Sequence, residues 1–161
     1  MGNFKRIAIT LYLLTFIMLN LGCSKGSFFP KADVVLSTEN ANIIPTSDVV
    51  TEIEESTVKV TLLNQVTCTA NTCTYTYETD LGEVIPLIFT DYVEKRIEAA
   101  ESGSAEDSFT IRPYRQEIID LFKNTTSNLN IIKVTVTVHF HDVNGNDFDK
   151  SIHFNCFKLT S

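Results

Sequence analysis

The sequence predicts a mainly β domain, an antiparallel two-sheet sandwich with one or two short helices. Three observations carry that expectation. Residues 131–159, IIKVTVTVHFHDVNGNDFDKSIHFNCFKL, alternate apolar and polar side chains almost throughout, the period of a half-buried strand. Residues 57–79, TVKVTLLNQVTCTANTCTYTYET, alternate in the same way. The composition, 43% hydrophobic and 20% charged over 161 residues, is that of one globular domain. A hairpin with one apolar face must bury it against a second layer, hence two sheets.

In chain order, the first element is an export signal. Lys5 and Arg6 precede an apolar run from Ile7 to Leu21, broken only by Thr10, Thr15 and Asn20. The run suits a signal-peptide core and is short for a membrane span of about 20 residues. It ends at Gly22, next to a lone cysteine, Cys23, with no A-x-A cleavage pattern. Leu21-Gly22-Cys23 resembles the end of a bacterial lipoprotein signal peptide, whose lipobox closes on a cysteine; Asn20 stands where that pattern prefers leucine. The resemblance covers the first 23 residues. It implies removal of residues 1–22 and acylation of Cys23, and Ser24 rather than Asp after the cysteine implies the outer membrane. Two or more acyl chains, at ~0.8 kcal/mol per buried CH₂, hold a protein to a bilayer without a transmembrane helix. Plain secretion and an uncleaved anchor are the other readings of this segment.

Loss of residues 1–22 leaves eleven basic against 20 acidic residues, a net charge of −9 instead of −7. Such a chain is repelled by phosphate backbones, which excludes nucleic acid as an expected partner. Residues 23–32 read as the lipidated cysteine and a tether, and 33–161 as a single domain. A short strand is expected at Asp33 to Leu36, and the Asn- and Thr-rich stretch Ser37 to Ser47 reads as a loop.

In 57–79, Val58, Val60, Leu62, Val66 and Cys68 share one parity, and Cys73, Tyr75 and Tyr77 the other. A two-residue turn at Ala70-Asn71 reconciles them in a hairpin that sets Cys68 opposite Cys73. In an oxidising compartment that pair is expected to form a disulfide. Cys156 is then left as a buried thiol, or as the partner of Cys68 or Cys73 in a bridge across the sandwich.

Residues 82–90 read as an edge strand, because Pro86 cannot donate to a ladder. Residues 91–103 carry a capping signature, Asp91-x-x-Glu94, and predict a helix ending at Gly103. A strand is expected over 108–113. Residues 114–124 read as a helix spaced on Ile118, Leu121 and Phe122, with a strand as the alternative.

The last hairpin turns at Asp142-Val143-Asn144-Gly145, with Gly145 in the left-handed region. This register sets Phe140 opposite Phe148, Val136 opposite Ile152, Val134 opposite Phe154 and Ile132 opposite Cys156. Lys150 alone falls on the apolar side, opposite Val138. The segment from Lys133 to Phe154 resembles the last two strands of immunoglobulin-like or fibronectin-like bacterial domains, though the Cys…Trp…Cys core signature is missing. An Ig-like β-sandwich is what that resemblance implies.

The same register puts all three histidines outward, His139 opposite Asp149 and His141 opposite Asp147. Imidazole with carboxylate suits zinc or copper, so His139, His141 and Asp149 form a candidate metal site against the alternative of a solvated sheet face. His153 and Cys156, three apart on a strand, face opposite ways and make no catalytic dyad. No nucleophile-elbow, zinc-protease or phosphate-loop motif occurs. The expected function is a lipid-anchored cell-envelope protein, not an enzyme, with a binding or structural role, no cofactor, and the membrane and an envelope protein as partners. A periplasmic metal-binding protein and a strand-pairing subunit of a surface appendage or secretion assembly are the alternatives.

Overall fold

The computed structural model describes residues 29–44, 55–124 and 129–158. The strands are β1 Val34–Thr38, β2 Asn42–Ile43, β3 Ser56–Leu62, β4 Cys68–Thr79, β5 Val84–Ile97, β6 Ala105–Ile111, β7 Ile131–Asp142 and β8 Asp147–Phe157, with one helix, α1, Gln116–Asn124. They make a three-stranded sheet in the order β1-β3-β6 and a five-stranded sheet in the order β2-β8-β7-β4-β5. All pairings are antiparallel except β2 with β8. The fold is mainly β, as the alternation predicts. Among the described residues no helix is long and apolar enough to cross a membrane. Cys23 and the export signal lie outside the described residues.

The β7–β8 hairpin has the expected register at every rung named above. Gly145 takes φ 82°, a conformation that glycine adopts without a Cβ penalty. Phe140 and Phe148 stack at 5.2 Å between centroids. Lys150, half-buried, faces Val138. The inward residues Val134, Val136, Val138, Ile152, Phe154 and Cys156 join Val34, Val58, Val60, Leu62, Phe109 and Ile111 of the smaller sheet in one buried cluster. That shared core is what ties the two sheets together.

Residues 57–79 do not form a hairpin. β3 belongs to the smaller sheet, the chain crosses at 63–67, and Cys68–Thr79 is one continuous strand at the centre of the larger sheet. Asn71 is an extra residue on β4: Ala70 pairs with Phe140 and Thr72 with His139, so Asn71 has no partner on β7. One bulged residue reverses the inward parity. Cys68 and Ala70 before it, and Cys73, Tyr75 and Tyr77 after it, therefore all point to the core.

The expected Cys68–Cys73 disulfide falls with the hairpin. The two residues lie on the same strand, roughly 16 Å apart at ~3.3 Å per residue, beyond the reach of a disulfide at about 7 Å between Cα atoms. The alternatives with Cys156 fail too. Cys156 pairs with Ile132, whereas Cys68 and Cys73 align with Asp142 and Val138, six or more residues further along β7 and so ~20 Å or more away. All three are free, buried thiols.

Residues 91–97 are strand, not helix. They continue β5 along β4, with Asp91, Val93 and Lys95 turned toward the core side and Tyr92, Glu94 and Arg96 outward. Sheet pairing overrides helix propensity here. The cost shows at Glu94, whose φ is 50°, beside the register shift that answers the Asn71 bulge. β5 is an edge strand, as Pro86 predicts, and a second register shift falls at Pro86-Leu87. Interruptions of this kind blunt an exposed edge against unwanted pairing.

The helix over 114–124 is present and begins two residues later, at Gln116. Ile118, Ile119 and Phe122 are buried, Glu117 sits in the first turn and Lys123 in the last, each favoured by the helix dipole. The Arg115 carbonyl accepts from the backbone N–H of Ile118 at 3.0 Å and of Ile119 at 3.3 Å. That fixes Arg115 at the helix start, and its side chain runs back toward the large sheet.

Candidate functional site

β5 is an edge strand of the large sheet, and β6 is the small-sheet strand beside it. The core-side residues of β5, Leu87, Phe89, Asp91, Val93 and Lys95, are only half-buried. Lys95 bridges to Asp107 on β6 at 2.9 Å. Beyond that bridge, between β5 and the end of β6, a cleft of about 360 Å³ opens. Glu55, Asp91, Tyr92, Ile111, Arg112 and Arg115 line it.

Arg115 is the centre of the cleft. Its guanidinium lies between two rings, 4.8 Å from the Tyr75 centroid and 4.7 Å from Phe89, an arrangement that favours a cation. Nη2 donates to Asp91 Oδ2 at 2.6 Å. Burial opposes the charge on Arg115, but the Asp91 carboxylate more than offsets it and holds the proton more tightly than usual. At the base, Arg115 Nε is buried without a hydrogen-bond partner, and the Tyr75 hydroxyl lies by the Asp91 carboxylate and the Arg112 backbone. Burial raises the Tyr75 hydroxyl pKa, and the nearby Asp91 carboxylate raises it further, so this phenol stays neutral. Tyr77 beside it donates from its hydroxyl to the Pro113 carbonyl at 3.2 Å and packs edge-on against Phe89 at 5.8 Å.

Arg112 stands at the rim. Its Nε and Nη2 donate to Glu55 Oε1 at 3.1 and 2.8 Å. With both ends half-exposed, this pair contributes little to stability. The cleft therefore holds two guanidiniums and two carboxylates.

The sequence pattern does not bring these residues together: it places Asp91 and Tyr92 on a helix and Tyr75 in a hairpin. The signal available was Arg112-Pro113-Tyr114-Arg115, two arginines at a strand-to-helix junction.

The predicted metal residues lie on the opposite face of the large sheet. His139 Nδ1 and Asp149 Oδ1 are 2.7 Å apart, as are His141 Nδ1 and Asp147 Oδ1. His139 Nε2 meets Thr74 Oγ1 at 3.0 Å. Both nitrogens of His139 are thus engaged, and the two His–Asp pairs sit ~7 Å apart along the strand. The side chains pair across the sheet instead of converging, and among the described residues no group of three or more His, Cys, Asp or Glu could hold a metal. His153 Nδ1 meets Thr135 Oγ1 at 3.1 Å, and Thr137 and Ser151 join at 3.1 Å. This is a hydroxyl- and imidazole-bearing solvated face.

The cysteines are equally removed from chemistry. Burial pushes the Cys68 thiol up to about 11, with Asp142 adding to it, and Cys73 up to about 12, with Asp91 adding to it. Burial alone pushes Cys156 up as well. A thiol that stays protonated at neutral pH is a poor nucleophile.

Fold and site together define a two-sheet β domain with a charged cleft at its open lateral edge. No protein-family model matches the chain, and no curated protein is significantly similar to it. Among solved structures it is similar to the ApaA protein from Bordetella pertussis, with 12% identity over 81% of this chain and 97% of that one and a TM-score of 0.42. It is also similar to Spo0M, a sporulation control protein from Bacillus subtilis, with 14% identity over 83% of this chain and 51% of that one and a TM-score of 0.41.

Proposed function

We propose that the chain is a lipid-anchored cell-envelope protein whose β domain binds a ligand without transforming it. The observation that carries the binding role is the cleft at the β5–β6 edge, where a half-buried guanidinium, clamped between rings and paired with Asp91, lines a cavity of about 360 Å³. A concave site with a few convergent charged side chains is the default place for a ligand. The absence of a catalytic motif and the protonated, buried thiols support a role without covalent chemistry.

The strand order supports an immunoglobulin-like reading of the domain. With β1, β3, β4, β5, β6, β7 and β8 lettered A, B, C, C′, E, F and G, the sheets read A-B-E and G-F-C-C′, a division of strands found in such sandwiches. The anchor rests on Leu21-Gly22-Cys23 after the apolar run, and Ser24 supports the outer membrane.

Replacing Cys23 with serine tests the anchor. The wild type is expected in the membrane fraction and extractable only with detergent. Cys23→Ser should keep its signal segment or appear as soluble protein. Unchanged processing and unchanged membrane partitioning of the variant would rule the anchor out.

A further inference from the structure

We propose that the cleft recognises the zwitterion of a free α-amino acid; this rests on the reading of the cleft as the binding site. The charges decide the ligand class. Two arginines and two carboxylates line the cleft, so it is neutral as a whole, inside a chain of net charge −7. A neutral cleft on an acidic protein does not concentrate a simple anion. A compact molecule with one charge of each sign fits, because each of its ends meets an opposite charge already fixed in place.

The polar atoms are available on both sides. Arg112 uses Nε and Nη2 on a single oxygen of Glu55, which leaves Nη1 of its planar fork for a carboxylate. Arg115 spends one N–H on Asp91 Oδ2, and its side chain lines the cleft. Glu55 receives both bonds on Oε1, so Oε2 can accept from an ammonium. The ligand's carboxylate lies between Arg112 and Arg115, and its ammonium meets Glu55 and Asp91. A cleft of about 360 Å³ is at the small end of the range for ligand sites.

The test uses the full chain in mild detergent and isothermal titration with L-leucine, N-acetyl-leucine, leucinamide and inorganic phosphate. L-leucine is expected to bind saturably, and each blocked derivative at least about tenfold more weakly, which is 1.4 kcal/mol. Glu55→Gln, a change at a half-exposed side chain, is expected to keep the circular dichroism spectrum and lose most of the preference for leucine over N-acetyl-leucine. Equal binding of leucine and N-acetyl-leucine, or displacement of leucine by phosphate, would overturn the zwitterion and leave a plain anion site. No saturable leucine binding up to about 20 mM, a concentration at which millimolar affinity is visible, would overturn it outright. Membrane partitioning of the wild type is read separately and is unaffected by any of these results.

Discussion

Replacing Phe154 with alanine is expected to cost about 4 kcal/mol of folding stability, most of what a small domain has. Phe154 is 1% exposed and pairs with Val134 at the centre of the large sheet. Ile152 and Cys156 flank it on the same face, and all three belong to the buried cluster that the two sheets share. Removing the ring loses its transfer energy and leaves a cavity that two stacked sheets cannot close. His153, its neighbour, is the control. It points outward to Thr135, and His153→Ala is expected to change stability by ~0.5 kcal/mol or less. Urea melts of both variants check this, with the midpoint moving for Phe154→Ala and the slope constant. Similar losses at both positions would contradict the register, since a one-residue slip exchanges the two faces.

Asp142→Ala carries the second large effect, about 3 kcal/mol. Asp142 is 1% exposed at the end of β7. Its Oδ1 accepts from the backbone N–H of Asn144 and Asn146, both at 2.9 Å, and its Oδ2 from the Ala32 N–H at 3.0 Å and Asn146 Nδ2 at 2.9 Å. One carboxylate thus fastens the hairpin turn and also the segment leading into β1, 110 residues away in sequence. Burial works to raise its pKa, but the bonds from Asn146, Ala32 and Asn144 outweigh burial and hold it below the usual aspartate value. A depressed carboxylate stabilises the fold above its unfolded pKa of about 3.9. That contribution fades as pH falls through the lower, folded value. The wild type should therefore lose its advantage over Asp142→Ala as pH drops below about 4. Asp142→Asn, which keeps an acceptor oxygen without the charge, should fall between them at pH 7. Guanidinium melts at pH 7 and pH 3 measure this, and a pH-independent gap would contradict the assigned bonds.

The last hairpin was legible because two local signals agree there. The alternation of β7 and β8 sets the faces, and Asp142 with Gly145 sets the turn, so every rung from Ile132–Cys156 to His141–Asp147 could be counted outward from it. The first alternating segment misled for a definite physical reason. A two-residue turn at Ala70-Asn71 and a single bulged residue at Asn71 both reverse inward parity. The sequence pattern is the same for each, and only the β7 strand on one side and β5 on the other distinguish them. The disulfide between Cys68 and Cys73 was inferred from the turn and fell with it. Asp91 to Ile97 was misread as helix because its residues favour one in isolation, while the ladder to β4 decides the outcome.

The cleft was not legible. Asp91 and Phe89 lie on β5, Tyr75 on the adjacent β4, and Arg112 and Arg115 on the link from β6 to α1. No periodicity within any one segment encodes their meeting. It follows from the crossing of the chain between sheets after Ile97. The His–Asp pairs on the outer face show the converse. Their cross-strand partners were readable, and the same register explains why they pair off without converging on a metal.

Intact mass of the full protein purified from its own envelope, before and after alkylation in denaturant, tests the lipid anchor and the free thiols together. The expected chain starts at Cys23, carries the added mass of acyl groups, and takes up three alkyl groups, on Cys68, Cys73 and Cys156, only once unfolded. A chain with no acyl mass at Cys23, or one that takes up a single alkyl group because two of the other cysteines are joined, would contradict it.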